Sequence, residues 1–137
     1  MDAETTPSDS CPFCSAIRQG SMLETEGTAV ALQDAFPLNP GHALVVPRAH
    51  VSNLFALSAP EQADVWRLVA VVRARLQREK APDGFNVGLN VGAAAGQTVG
   101  HAHVHVIPRF SGDVDDPRGG VRWLVPSRAP YWRGGGR

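Results

Sequence analysis

His101, His103 and His105 occupy every second position of the run His101-Ala102-His103-Val104-His105-Val106-Ile107-Pro108-Arg109, and the first two residues between them are apolar. A period of two marks a half-buried β-strand, so the run predicts three imidazoles on one face and Ala102, Val104 and Val106 turned to a core. Same-face neighbours on a strand stand roughly 6.5–7 Å apart, which sets His103 between the other two. Two chemistries suit such a face. An imidazole is largely neutral near pH 7 and can serve as a nucleophile. Alternatively, histidines at i and i+2 can ligate a zinc ion that keeps a water for hydrolysis.

Before the run lies Asn90-Val91-Gly92-Ala93-Ala94-Ala95-Gly96-Gln97-Thr98-Val99-Gly100, a loop of small residues. Gly92 and Gly96 allow close approach of backbone N–H groups to an anion, and Asn90, Gln97 and Thr98 add polar contacts. No Gly-Lys-Ser/Thr follows, which excludes a P-loop. A strand rather than a helix comes next, which excludes a dinucleotide fingerprint.

Taken together, Asn90-x-Gly92-x-x-x-Gly96-Gln97-Thr98-Val99-x-His101-x-His103-x-His105-Val106-Ile107-Pro108-Arg109 resembles the signature of the histidine-triad (HIT) family of nucleotidyl hydrolases and transferases. Upstream, Ala31 to His50 resembles that family's first strand pair, and the likeness spans about residues 11 to 110. The resemblance implies a HIT-like α+β fold: an antiparallel sheet of about five strands, one long helix and a short N-terminal helix. It implies a homodimer through the helix and neighbouring strands. It also implies cleavage at the α-phosphate of a nucleotide conjugate, with a covalent nucleotidyl-histidine intermediate on His103. His105 and His101 would complete the triad, with Gln97 and Thr98 at the phosphate and leaving group. Asp34 would accept from ribose hydroxyls, Phe13, Phe36 and Leu44 would line the base pocket, Asn90 and Gly96 would border it, and His42 would support the site from behind. Dinucleoside polyphosphates are the favoured substrates. Nucleoside phosphoramidates and aminoacyl-adenylates are alternatives, as is a nucleotide-binding regulatory module whose hydrolysis is incidental.

Both cysteines fall in Cys11-Pro12-Phe13-Cys14. A redox pair would be expected at a strand end in a βαβ setting, with more chain before it. A structural zinc needs two further ligands. In zinc-containing relatives these come from the histidine of a Pro-x-x-His segment and the first triad histidine, which map onto His50 and His101. Structural zinc on Cys11, Cys14, His50 and His101 would be saturated and would leave the chemistry to His103.

The remaining chain is organised around these segments. At 137 residues, one domain is expected. Thirteen basic residues balance thirteen acidic ones, which argues for a small-molecule ligand rather than nucleic acid. No apolar stretch approaches about twenty residues, and the polar N-terminus has no signal pattern, so a cytoplasmic protein without membrane association is expected. Residues 1 to 10 read as a flexible tail, 11 to 110 as the domain, and 111 to 137 as an extension disordered near its end. A helix is expected near residues 13–19 and strands near 22–26, 28–34, 42–47 and 85–91. Ser58-Ala59-Pro60-Glu61 predicts a capping box for a helix with Val65, Leu68, Val69, Val72 and Leu76 on one face, and Arg67, Arg73, Arg75, Arg78 and Lys80 toward solvent. In the extension, Arg118 and Arg122 flank Gly119-Gly120 and either reach polyphosphate oxygens or lie in a solvated loop.

Overall fold

The computed structural model describes residues 7–134. The tail expectation for residues 1–6 and the disorder expectation for 135–137 lie outside the described residues. The chain runs α1 (Pro12–Arg18), β1 (Glu24–Glu26), β2 (Ala29–Gln33), β3 (Ala43–Pro47), α2 (Ala59–Lys80), β4 (Gly84–Gly88) and β5 (Val104–Arg109), with 3-10 turns between them and through the extension. One five-stranded sheet has the order β1-β2-β3-β5-β4, and every neighbouring pair is antiparallel. This is the expected α+β arrangement.

Alternation along the strands divides the sheet between two layers. Ala29, Ala31, Ala43, Val45, Val104 and Val106 face α2 and pack on Val65, Leu68, Val72 and Leu76, while Val69 is half-buried against them. Val30, Leu32, Leu44 and Val46 face the other way, where Phe13, Ala16 and Ile17 of α1 cover them. That second face is only partly roofed, and its uncovered part holds the histidines.

The helix starts as its sequence predicts. Ser58 caps the Glu61 N–H, and the Glu61 carboxylate accepts from the Ser58 N–H. Gly41 has φ of +93°, and a Cβ there would meet Leu76 Cδ2 at 2.9 Å, so a residue without a side chain lets the β2–β3 connection close on α2. Arg75 departs from its expected solvated role. It is half-buried, donates to the Leu23 carbonyl at 2.7 Å and pairs with Glu79, tying α2 to the segment before β1.

The triad strand is shorter than the alternation suggests. β5 begins at Val104, so His101, at a bend, and His103 lie ahead of it and only His105 is in the ladder. Pro47, at the end of β3, has no N–H to donate, and its carbonyl is taken by His101 Nε2 at 2.8 Å. Meanwhile the Ala102 N–H bonds the Val51 carbonyl. β4 also ends at Gly88 rather than continuing to Val91.

Candidate active site

His105 stands beside Leu44 on one side and Gly88 on the other, and its ring meets that of His103 edge-on with centroids 5.2 Å apart. His103 Nδ1 is 2.8 Å from the His101 carbonyl oxygen. An oxygen acceptor requires an N–H there, so Nδ1 carries the proton and Nε2 keeps a free lone pair. The neighbouring ring takes the opposite form for an equally local reason. His42 Nδ1 receives the Leu38 N–H at 3.0 Å, so its own proton sits on Nε2, which lies 2.9 Å from His105 Nδ1 and 3.2 Å from Asp34 Oδ2. His105 Nδ1 therefore accepts, and its proton is on Nε2. Burial holds the pKa of His42 below the ordinary value despite Asp34. Burial first, then the neighbouring His103 and His42, does the same for His105. His42 and His105 thereby favour their neutral forms.

Both rings line a cavity of about 810 Å³, within the range of small-molecule sites. Leu32 and Leu44 form its floor, Phe13 and Ala16 of α1 one wall, and Asp34, Phe36, His42, Asn90, Gly96 and Thr98 also border it. Phe13 packs edge-on against His101 and His103, with centroids 5.7 and 5.0 Å away. Phe36 is 86% exposed at the mouth. Asp34 Oδ1 closes a turn by accepting the Phe36 N–H at 2.8 Å, while Oδ2 faces His42. Leu38, which the sequence gives no reason to single out, supplies both cavity wall and the backbone donor that sets the His42 proton.

Gln97 does not border the cavity. Its Oε1 accepts the Gly92 N–H at 2.9 Å, and its Nε2 donates to the carbonyls of Ser52 at 2.8 Å and Val99 at 3.1 Å. Contact with a phosphate would require these bonds to open; in this structure the amide braces the glycine loop.

His101 belongs to a second cluster behind the cavity. Cys11 Sγ and Cys14 Sγ lie 3.4 and 3.5 Å from His101 Nδ1, Cys14 Sγ is 3.4 Å from His50 Nδ1, and the two Nδ1 atoms are 3.2 Å apart. A tetrahedral zinc with ordinary bond lengths has edges of roughly 3.5 Å between S and N and 3.3 Å between N and N, so the donors fit. The proton that His101 Nε2 gives to Pro47 leaves Nδ1 bare, as ligation needs, and burial holds its pKa down to about 4, keeping the ring neutral. Asp34, His42 and His105 also bring ligand atoms together. They do not fit a cation, because the atom His42 offers is the protonated Nε2.

The arginines of the extension are occupied within it. Arg118 pairs with Asp116 and lies over the Trp132 ring at 4.7 Å. Arg122 donates to the carbonyls of Ala129 and Arg128 and lies over Tyr131. Neither borders the triad cavity, and the Tyr131–Gly134 stretch, where disorder is expected from Trp132 on, forms a 3-10 turn.

No described helix is long and apolar enough to cross a membrane. Among related sequences, an uncharacterized HIT-like protein of Saccharolobus solfataricus is 33% identical over 88% of this chain and 89% of its own length. An AP-4-A phosphorylase of Mycobacterium tuberculosis is 37% identical over 71% of this chain, and a bis(5'-adenosyl)-triphosphatase of Saccharomyces cerevisiae is 34% identical over 77%. The chain spans about half the length of these last two, 50% and 49%. A crystal structure of a HIT family protein from Bacillus anthracis superposes with a TM-score of 0.70 at 27% identity, covering 95% of this chain and 99% of that one. The family profile described as the HIT domain matches residues 18–112, the stretch that holds Asp34, His42, the glycine loop and all three alternating histidines, and the chain belongs to the HIT family.

Proposed function

We propose that the protein is a nucleotidyl hydrolase or transferase acting at the α-phosphate of a nucleotide conjugate, with dinucleoside polyphosphates as its substrates. The observation that carries this reading is the pair of opposite tautomers, the bare Nε2 of His103 beside the N–H of His105. In the first step the His103 lone pair forms a bond to phosphorus while the bond to the leaving oxygen breaks. Nδ1–H stays on the ring, and the positive charge that develops there is stabilised by the His101 carbonyl. His105 Nε2–H donates to a phosphoryl oxygen. Water, or phosphate in a phosphorylase, then takes the nucleotidyl group and frees His103, the proton from water passing to solvent. Asp34 Oδ2 would accept from ribose hydroxyls, with the base between Phe13, Phe36 and Leu44.

Leaving-group chemistry favours an anhydride over a phosphoramidate. A polyphosphate departs as an anion and needs no proton, whereas an amine must be protonated. His105 has one proton, and giving it away while Nδ1 accepts from His42 would leave an imidazolate. The relatives named as an AP-4-A phosphorylase and a bis(5'-adenosyl)-triphosphatase support the same substrate class.

Zinc on Cys11, Cys14, His50 and His101 would be four-coordinate and structural, fixing α1 and His101 beside the nucleophile. The unpaired outer edge of β4 and the exposed Trp66 and Val71 on α2 support association of two copies, which light scattering of the purified protein checks. The central test is acid-avoiding quench of a reaction with a dinucleoside tetraphosphate, followed by peptide mass spectrometry. A nucleoside monophosphate adduct is expected on His103. His103→Ala should lose the adduct and fall on the order of 10⁴-fold in kcat while still binding mononucleotide. A variant retaining a tenth of the wild-type kcat would refute the covalent route.

A further inference from the structure

A second cavity of about 620 Å³ lies on the same face of the sheet, with Leu38 bordering both cavities. It follows the triad along β5: after His105 the next side chains on that face are Ile107 and Arg109, roughly 7 and 13 Å further on. Its outer wall is Val121, Trp123 and Leu124, from a part of the chain beyond the matched family region, which ends at residue 112. We propose that this cavity is the subsite for the distal nucleoside of the substrate, a reading that rests on the nucleotidyl transfer proposed above.

The reaction geometry points there. In an in-line displacement the leaving oxygen departs opposite the attacking nitrogen. Departure from His103 past the N–H of His105 continues along the face toward Ile107. The cavity's chemistry then says which end of the leaving group it takes. Its one lining cation among the described residues, Arg109, is already bound through Nε and one terminal nitrogen to both oxygens of Asp113 and through the other to Asn86 Oδ1. Asp116 faces the cavity too, paired with Arg118. This is a poor place for phosphate and a good one for a neutral planar group. Trp123, 40% exposed, offers a ring face, and Leu38, Val121 and Leu124 offer apolar contact. Asn86 Nδ2 and Asn39 Oδ1 have no partner among the described residues. They offer one donor and one acceptor, the complement of a nucleobase edge. The phosphates would bridge the span between the two cavities in the solvent above Leu38.

The test compares kcat/KM for a dinucleoside tetraphosphate with that for an adenosine 5'-phosphorofluoridate, whose leaving group reaches no second cavity. Val121→Glu and Leu124→Glu alter side chains that are already 61% and 78% exposed, so melting temperatures should stay near wild type. Trp123→Ala removes the ring face and Trp123→Phe restores it. The glutamate variants and Trp123→Ala should lose about tenfold on the tetraphosphate and little on the fluoridate, with Trp123→Phe close to wild type. Equal loss on both substrates, or no loss on either, would overturn the subsite while leaving the nucleotidyl reading intact. Wild-type protein that turns over neither substrate would overturn that underlying reading and the subsite with it.

Discussion

His42→Phe removes the hydrogen bond that sets the form of His105, together with the contact of His42 Nε2 to Asp34 Oδ2 at 3.2 Å. A phenylalanine ring fills nearly the same space, so no cavity is created, but it can neither accept from Leu38 N–H nor donate to His105 Nδ1, bonds of 3.0 and 2.9 Å in the native protein. Each is worth about 1 kcal/mol net, and Leu38 lies near solvent, so the total loss should be about 2 kcal/mol. For a domain of this size that is a fall of about 8 °C in melting temperature. Catalysis should suffer separately. Without the donor on His42, His105 loses about 1 kcal/mol of preference for the form that presents Nε2–H to the cavity, and kcat should fall about fivefold with little change in KM. Nitrogen-15 NMR of the imidazoles reads the cause directly, since protonated and bare ring nitrogens have well-separated shifts. His105 should show Nε2–H in the wild type and a mixture in the variant. A variant whose His105 spectrum is unchanged, or whose KM rises while kcat holds, would refute the reasoning.

Three further outcomes are expected. Gln97→Ala removes three bonds to loop backbone and should lower stability by about 2 kcal/mol, read by denaturant titration; a large fall in kcat with unchanged stability would return Gln97 to the phosphate. Protein isolated without chelator should hold one zinc per chain by elemental analysis, and Cys14→Ser should lose it together with several degrees of melting temperature. Because His42 and His105 are held below their ordinary value of 6.5, the unfolded chain binds protons that the folded one does not, and stability present above about pH 6.5 is lost as pH falls through the folded values. Melting curves between pH 7.5 and 5 should show this decline, and it should be shallower in His42→Phe.

Elements whose signals are local were legible in the sequence. The capping box of α2, its apolar stripe and the apolar runs of β2 and β3 all follow from neighbours within one or two turns of chain. The group of Cys11, Cys14, His50 and His101 was legible through the family likeness, and the structure brings these four potential donors together. What could not be read depends on partners distant in sequence. An alternating run cannot distinguish extended chain from paired strand, and whether β5 continues back to His101 is decided by the missing N–H of Pro47. Gln97 has the right chemistry for a phosphate, yet its amide is claimed by a carbonyl 45 residues away. Arg118 and Arg122 read either as phosphate ligands or as solvated loop residues, and the sequence gives no sign that they lie over Trp132 and Tyr131.

The His101 carbonyl that accepts from His103 Nδ1 is a main-chain atom, so it would be present whatever residue stood at 101. Substitution there can remove one donor from the Cys11, Cys14, His50 and His101 group but cannot delete the acceptor of the His103 proton. The role proposed for His103 therefore depends on where the backbone at 101 sits, because its Nδ1 contact is to a main-chain atom. A variant of this chain that lacks the cysteines would keep the acceptor for His103 Nδ1 as long as other contacts hold the peptide between 101 and 102 in place.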